Sequence, residues 1–466
     1  MAESPEPGTD EPDQPDESPH SVSPGYYLAQ GRLARTLPLV GLSTRDLAGA
    51  TTTSALRRRQ ADVSIAARHG RAAERYAELL GHSRGVLMKA GQLLSMAGLQ
   101  GVVSPDDQPL YQAVLARLQE NAPPMPAGLA ADVAETEFGC PLHEIFADFD
   151  PHPIAAASIG QVHLARLYDG REVAVKIQYP GVEQAIRADL RNAEVLASLL
   201  KLGSGLTFVR PDVPALAREL SARINEEIDY QAEAVSQQAF AAAYRGHPLI
   251  RIPEIVPELC TRRVLTMEFS DGLRWSQART ASQPLRDRWG EVLYRFAIGS
   301  LIRLGMINAD PQPGNYLFHA DGSVTFLDFG CVRRYSPRQV LTVCSAIHAA
   351  ATSDAAYLYE VLSQAGYINQ ADPPDREELL AWLQQNLMPV VAPQPFTYTP
   401  ELVAGLTSRD LSPSGRYAEV ISRLTIPADF LSTVRVNLGL SAVLADLRAT
   451  ANWDAIRRDY CTCQAT

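Results

Sequence analysis

One lysine in an otherwise apolar strand constrains this chain more than any other residue. Val173, Ala174, Val175 and Ile177 flank Lys176 with small and branched apolar side chains, and the turn pair Asp169-Gly170 stands just upstream. Residues 154–178 therefore read as strand, turn, strand. An ammonium whose neighbours are buried needs an anionic partner, because desolvating an unpaired charge is costly. The fold must bring carboxylates, a bound anion or both to the end of this hairpin.

The rest of the chain places that hairpin between helical regions. Residues 1–25 are rich in Pro, Glu, Asp and Ser and form an expected disordered acidic tail. Helical spacing covers 62–99, with a break near Gly81, and again 109–121, where Pro123-Pro124 ends it. A further helix is expected over 127–137, stopped by Gly139. After the hairpin, helices are expected over 182–200 and 213–244, and strands over 250–255 and 263–269. From Leu273 the pattern is helical, interrupted by the loop and strand region 306–330. Within the helical remainder, 335–466, the amphipathic stretch 430–447 reads as core in preference to a membrane-attaching face. This order predicts an α+β small lobe with extra helices. The expected divisions are a tail over 1–25, a helical extension over 26–150, a small lobe over 151–270 and a helical large lobe over 271–466.

Composition narrows the partners. A net charge of -11 argues against nucleic acid, whose phosphates call for clustered Lys and Arg. Six cysteines are scattered through a chain that opens with no apolar signal segment, which points to reduced thiols in a cytosolic setting. Cys461-Thr-Cys463 matches no strong zinc spacing. No window reaches about 18 uninterrupted apolar residues, so a membrane span is not expected. Peripheral attachment stays open.

Three groups of residues carry the chemistry. A strand-end lysine behind a small-residue loop is how kinase-type sites hold the α- and β-phosphates of ATP. Asp310 and Asn315 lie five apart in a Pro- and Gly-containing loop, and Asp328 ends an apolar strand just before Phe329 and Gly330. Mg²⁺ takes one or two protein oxygens plus phosphate oxygens, so Asn315 and Asp328 suit it as ligands. Asp310 is placed to orient a hydroxyl or water for in-line attack on the γ-phosphate. Asp-Phe-Gly alone is a weak signal. The order Lys176, an acidic helix, Asp310 to Asn315, then Asp328-Phe-Gly is a strong one.

Several stretches together resemble the UbiB/AarF-type atypical kinase-like family, the aarF-domain-containing kinase group. They are Lys89-Ala-Gly-Gln92, Leu115-Ala-Arg-Leu-Gln-Glu-Asn-Ala-Pro-Pro124, Ala155-Ala-Ala-Ser-Ile-Gly-Gln-Val-His163, Val173-Ala-Val-Lys-Ile-Gln-Tyr-Pro-Gly181, Glu227-Ile-Asp229, Asn308-Ala-Asp-Pro-Gln-Pro-Gly-Asn315 and Leu327-Asp-Phe-Gly330. The resemblance implies a two-lobed protein-kinase-like α+β fold, with a helical extension over the cleft and a mostly helical large lobe. It implies ATP as ligand with Mg²⁺. Carried over, Lys176 holds phosphate together with the loop Ala155, Ala156, Ala157 and Ser158, Asp310 is the catalytic-loop aspartate, and Asn315 and Asp328 are the metal ligands. Lys89, Gln92, Glu227 and Asp229 gate the cleft. Glu226, Glu227 and Glu233 compete to pair Lys176, with Glu227 preferred and counted among the nucleotide-binding residues. Many relatives have His where this chain has Asn308 and again where it has Gln312, so no bracing histidine is claimed here.

The function this implies is a Mg²⁺-dependent atypical kinase or ATPase supporting quinone or isoprenoid lipid metabolism. Its partners would be ATP and a membrane lipid or quinone precursor, and its setting cytoplasmic with peripheral membrane contact. Two alternatives stand beside it: a Ser/Thr protein kinase, and a nucleotide-binding scaffold for a lipid-biosynthesis assembly.

Overall fold

The computed structural model describes residues 127–157, 159–183, 228–408, 416–425 and 428–461. The expected tail, the helical segments over 62–99 and 109–121, and most of the 182–200 helix lie outside them.

The small lobe begins with α1 (Ala127–Phe138), which ends where Gly139 takes φ +73. A short α2 (Leu142–Ile145) leads into β1 (Phe146–Ala156), β2 (Gly160–Leu167) and β3 (Glu172–Gln178). The turn between β2 and β3 closes at Gly170, φ +90, a conformation that glycine adopts without penalty. After α3 (Tyr230–Tyr244) and the two-residue β4 (Ile250–Arg251), β5 (Val264–Glu268) completes a sheet ordered β1-β2-β3-β5, antiparallel throughout. Lys176 pairs in register with Val162 on one side and Leu265 on the other. Strand periodicity then puts Val162, Leu164, Ala174, Lys176, Leu265 and Met267 on one face. The apolar core joins Val173, Val175 and Ile177 to Ala130, Val133 and Ala134 of α1 and to Tyr230 and Ala234 of α3.

Two expectations are corrected. The helix read over 213–244 begins, among the described residues, at Tyr230, because the Asp229 carboxylate caps it by accepting from the N–H groups of Gln231 and Ala232. The strand read over 250–255 keeps two residues, which pair in parallel with residues 324 and 325 of the large lobe, while Ile255 makes a single bridge to Met267 of β5.

Phe269 to Gly272 connect the lobes. The large lobe follows as α4 (Trp275–Ala278), α5 (Gln283–Leu304), β6 (Met306–Asn308), β7 (Tyr316–Phe318), β8 (Val324–Phe326) and β9 (Val332–Arg334). Gly305 terminates α5 in a left-handed conformation. Then come α6 (Pro337–Thr352), α7 (Ala355–Gln364), α8 (Arg376–Asn386), α9 (Met388–Val391), β10 (Phe396–Thr397), α10 (Pro400–Ser408), α11 (Ala418–Ser422), α12 (Ala428–Leu447), β11 (Thr450–Ala451) and α13 (Trp453–Tyr460). α12 covers the stretch read as core, and Val436, Leu440, Val443, Leu444 and Leu447 are indeed buried. Among the described residues, no helix is long and apolar enough to cross a membrane.

An aromatic cluster welds the lobes. Phe296 of α5 stacks on Phe326 with ring centres 3.8 Å apart, and Phe240 of α3 meets Phe329 at 4.9 Å. All four rings are buried. Burying rings of this size contributes several kcal/mol of packing energy, so α3 is held to the large lobe at the residue that follows Asp328.

Candidate active site

The demand made by the sequence, an anionic partner for Lys176, is met twice over. Its Nζ lies 2.9 and 3.0 Å from the two carboxylate oxygens of Glu233 on α3, and 3.2 Å from Oδ2 of Asp328. The Tyr230 ring covers the ammonium at 4.8 Å, a cation–π contact. Among the described residues the partner on this helix is thus Glu233; the preferred Glu227 lies outside the described residues. The physical reason is the Asp229 cap, which starts α3 at Tyr230 and puts Glu233 in its first turn, facing β3. Burial works against ionising Lys176, but Asp328 and Glu233 outweigh it and hold the ammonium well above its ordinary range. Burial pushes the Glu233 carboxyl up to about 7 against the pull of that ammonium.

The second half of the site is the loop after β6. The Asn315 amide nitrogen donates to the Asp310 carbonyl at 3.2 Å and to Asp310 Oδ2 at 3.1 Å. With its N–H groups directed at Asp310, Asn315 has its carbonyl oxygen left to meet a cation. Asp328 accepts from the Gly330 N–H at 3.0 Å through Oδ1 while Oδ2 faces Lys176. One residue whose role was not foreseen joins the halves. Asn308 donates its side-chain N–H to the Asp328 carbonyl at 2.6 Å and accepts from the Asp310 N–H at 3.1 Å. A buried amide therefore does the bracing for which no histidine was claimed, and it does so without a titratable group. The sequence marked Asn308 as the position where many relatives carry His, but gave no sign of which segments its amide would join.

The alanine loop is closed by its own backbone. Ala155 and Ala156 pair with Val162 and Gln161, and the Ala157 N–H donates to the Gly160 carbonyl at 2.8 Å. Gly160 is required there, since a Cβ on it would sit 2.2 Å from the Ile177 carbonyl oxygen. Lys89, Gln92 and Ser158 lie outside the described residues, as does Glu227. Asp229 stands in the structure as the α3 cap.

The donor set suits Mg²⁺. Asp328 and Asn315 offer hard oxygens, the ligand type that Mg²⁺ takes one or two at a time beside phosphate oxygens.

Comparison with known proteins bears on the same segments. Residues 117–362 match the model of the ABC1 atypical kinase-like domain. The mitochondrial atypical kinase COQ8B of Rattus norvegicus is 37% identical over 286 residues, covering 60% of this chain and 52% of that protein. The mitochondrial atypical kinase COQ8 of Saccharomyces cerevisiae is 32% identical over 286 residues, covering 61% and 55%. The chloroplastic protein ACTIVITY OF BC1 COMPLEX KINASE 1 of Arabidopsis thaliana is 32% identical over 284 residues, covering 60% and 41%. The chain spans about half the length, or less, of these curated relatives. Among solved structures, Rv3197 of Mycobacterium tuberculosis, determined as a complex with erythromycin, superposes with a TM-score of 0.62 at 30% identity. That match covers 86% of this chain and 98% of that one.

Proposed function

The chain belongs to the ABC1 atypical kinase-like family, and from that premise we propose that it binds ATP with Mg²⁺ and transfers the γ-phosphoryl group to water or to a small lipid-like acceptor in quinone or isoprenoid metabolism. The observation that carries this is the joining of the Lys176–Glu233–Asp328 cluster to Asp310 and Asn315 through the single amide of Asn308.

Each residue has a role that follows from its surroundings. Lys176 exchanges its bond to Asp328 for phosphate oxygens, while Glu233 and Tyr230 keep it aimed. The face carrying Val162, Ala174 and Met267 offers an apolar surface for a base. Mg²⁺, held by Asp328 and Asn315, would neutralise charge on the phosphate oxygens. Asp310 orients the attacking hydroxyl or water, and its own carboxylate is steadied by Asn315.

A small acceptor is favoured over a protein by the segment after Asp-Phe-Gly. Only residues 331–336 separate Gly330 from α6, and 332–334 of these form β9 against β6. That length leaves no activation loop on which a peptide would be laid out. The family resemblance supports a lipid-linked acceptor met by peripheral contact with a membrane.

Phosphate release by the purified protein with Mg²⁺, with and without anionic phospholipid vesicles, tests the proposal. Wild type is expected to turn over ATP, and Asp328→Asn to lose about 100-fold or more with its fold retained. No nucleotide binding by wild type, or equal turnover by the variant, would overturn it. Tight binding without turnover under any lipid condition would favour the scaffold, and robust transfer to generic proteins the Ser/Thr kinase.

A further inference from the structure

α12 presents three residues at steps of three along one face, and each meets a different part of the site. The Thr433 hydroxyl pairs with the Tyr335 hydroxyl at 2.7 Å, just beyond β9. Val436 packs with Ile307, Ala309 and Cys331, at the seam of β6 and the Asp-Phe-Gly segment. Gly439 lies against the ring of Pro311, the residue next to Asp310. A Cβ added at Gly439 would stand 2.6 Å from Pro311 Cγ and 3.7 Å from its Cβ and Cδ.

A glycine inside a helix is disfavoured relative to alanine, so something other than helix propensity holds this one in place. A proline ring cannot swing aside as the end of a flexible side chain does. Restoring ordinary van der Waals contact from 2.6 Å requires a shift of about 1 Å in either α12 or the Pro311 backbone. Thr433 ties the helix to Tyr335 beyond β9, and Leu440, Val443 and Leu444 bury it in the large-lobe core, so the loop is the part that yields. We propose that Gly439 is a positioning residue: α12 sets the distance between the Asp310 loop and the Asp328 segment, and the missing side chain at 439 lets Pro311, and with it Asp310, sit at that distance. The catalytic part of this inference rests on the phosphoryl-transfer function proposed above.

The test compares Gly439→Ala with Gly405→Ala, a helical glycine on α10 whose added Cβ would meet nothing within 4 Å. Gly405→Ala is expected to match wild type. Gly439→Ala is expected to lower kcat for ATP turnover about 10- to 100-fold, the scale of a misplacement of about 1 Å, with KM for ATP changed less than about twofold. In a Pro311→Ala background, which removes Cγ and Cδ, adding Gly439→Ala is expected to change kcat by less than about threefold. Unchanged kcat in Gly439→Ala, a loss expressed in KM, or an equal loss in both backgrounds overturns the proposal. If Gly439→Ala fails to fold, recovery of folded protein by Pro311→Ala/Gly439→Ala supports it and a second failure overturns it. Hydrogen exchange over residues 306–316 gives a readout that does not depend on turnover: faster exchange in Gly439→Ala but not in Gly405→Ala is expected, and no difference overturns the positioning claim even if wild type proves inactive, an outcome that by itself would overturn only the phosphoryl-transfer proposal.

Discussion

Replacing Glu233 with leucine should damage the protein more than replacing the lysine it serves. In Glu233→Leu the Lys176 ammonium stays in a pocket where its side chain is 10% exposed, with Asp328 at 3.2 Å as the remaining carboxylate. It must remain charged there or lose its proton. Deprotonation at pH 7 costs about 5 kcal/mol, taking about 1.4 kcal/mol for each of the roughly 3.5 pH units below the ordinary value of 10.5. That figure is the ceiling, and removing one partner of a buried pair costs about 3–5 kcal/mol. Because Asp328 and the Tyr230 ring still attend the ammonium, about 3–4 kcal/mol is expected.

Lys176→Met leaves a different remainder. Burial already pushes the Glu233 carboxyl up to about 7, so near neutral pH it gives up its charge far more readily than an ordinary carboxylate. Completing its neutralisation costs about 1 kcal/mol or less. Asp328 is a third exposed and keeps water. Lys176→Met is therefore expected to lose about 1 kcal/mol of stability or less, and the double variant to resemble Lys176→Met more than Glu233→Leu. Urea unfolding at pH 7, followed by tryptophan fluorescence, measures all four proteins. Equal midpoints for the two single variants, or strictly additive losses in the double, would refute the reasoning.

The same carboxyl gives a pH signature. Its folded value of about 7 exceeds the ordinary 4.5, so the folded chain holds a proton that the unfolded chain releases. The stability this contributes is present below about pH 4.5 and is lost as pH rises through 7. The urea midpoint of wild type should thus fall relative to Glu233→Gln between about pH 5 and 7.5, and a constant difference would contradict the assignment. Tyr230 offers a check on how Lys176 is held. Tyr230→Phe keeps the ring and should bind ATP as wild type does, whereas Tyr230→Leu should weaken binding about fivefold, the scale of a cation–π contact of about 1 kcal/mol; calorimetric titration distinguishes them, and equal affinity for both variants would remove the ring from the account.

Much of the site was legible because its signals are short in range. A short apolar run behind a turn pair put Lys176 on a strand, and loop residues placed Asp310, Asn315 and Asp328 where strands end. The apolar spacing of 430–447 likewise marked a core helix. What could not be read was pairing over distance. Spacing along the chain favoured Glu227, and it could not show that the cap at Asp229 starts α3 where Glu233 falls in its first turn and meets the lysine once helix and sheet are packed together. The bracing role of Asn308 was not legible because one of its two bonds reaches the Asp328 carbonyl, 20 residues on.

The sequence by itself therefore determined which chemical groups exist and on what local elements they stand, since helix, strand and turn follow from residues within a few positions of each other. It also determined that the lysine of the β3 strand must be paired, because burial of a charge demands it. Only the tertiary structure decided with what. Glu233 arrives from a helix 57 residues away, Asp328 from across the cleft 152 residues on, and Gly439 meets Pro311 across the large lobe. Such meetings depend on how packed surfaces fit, and chain spacing carries no record of that.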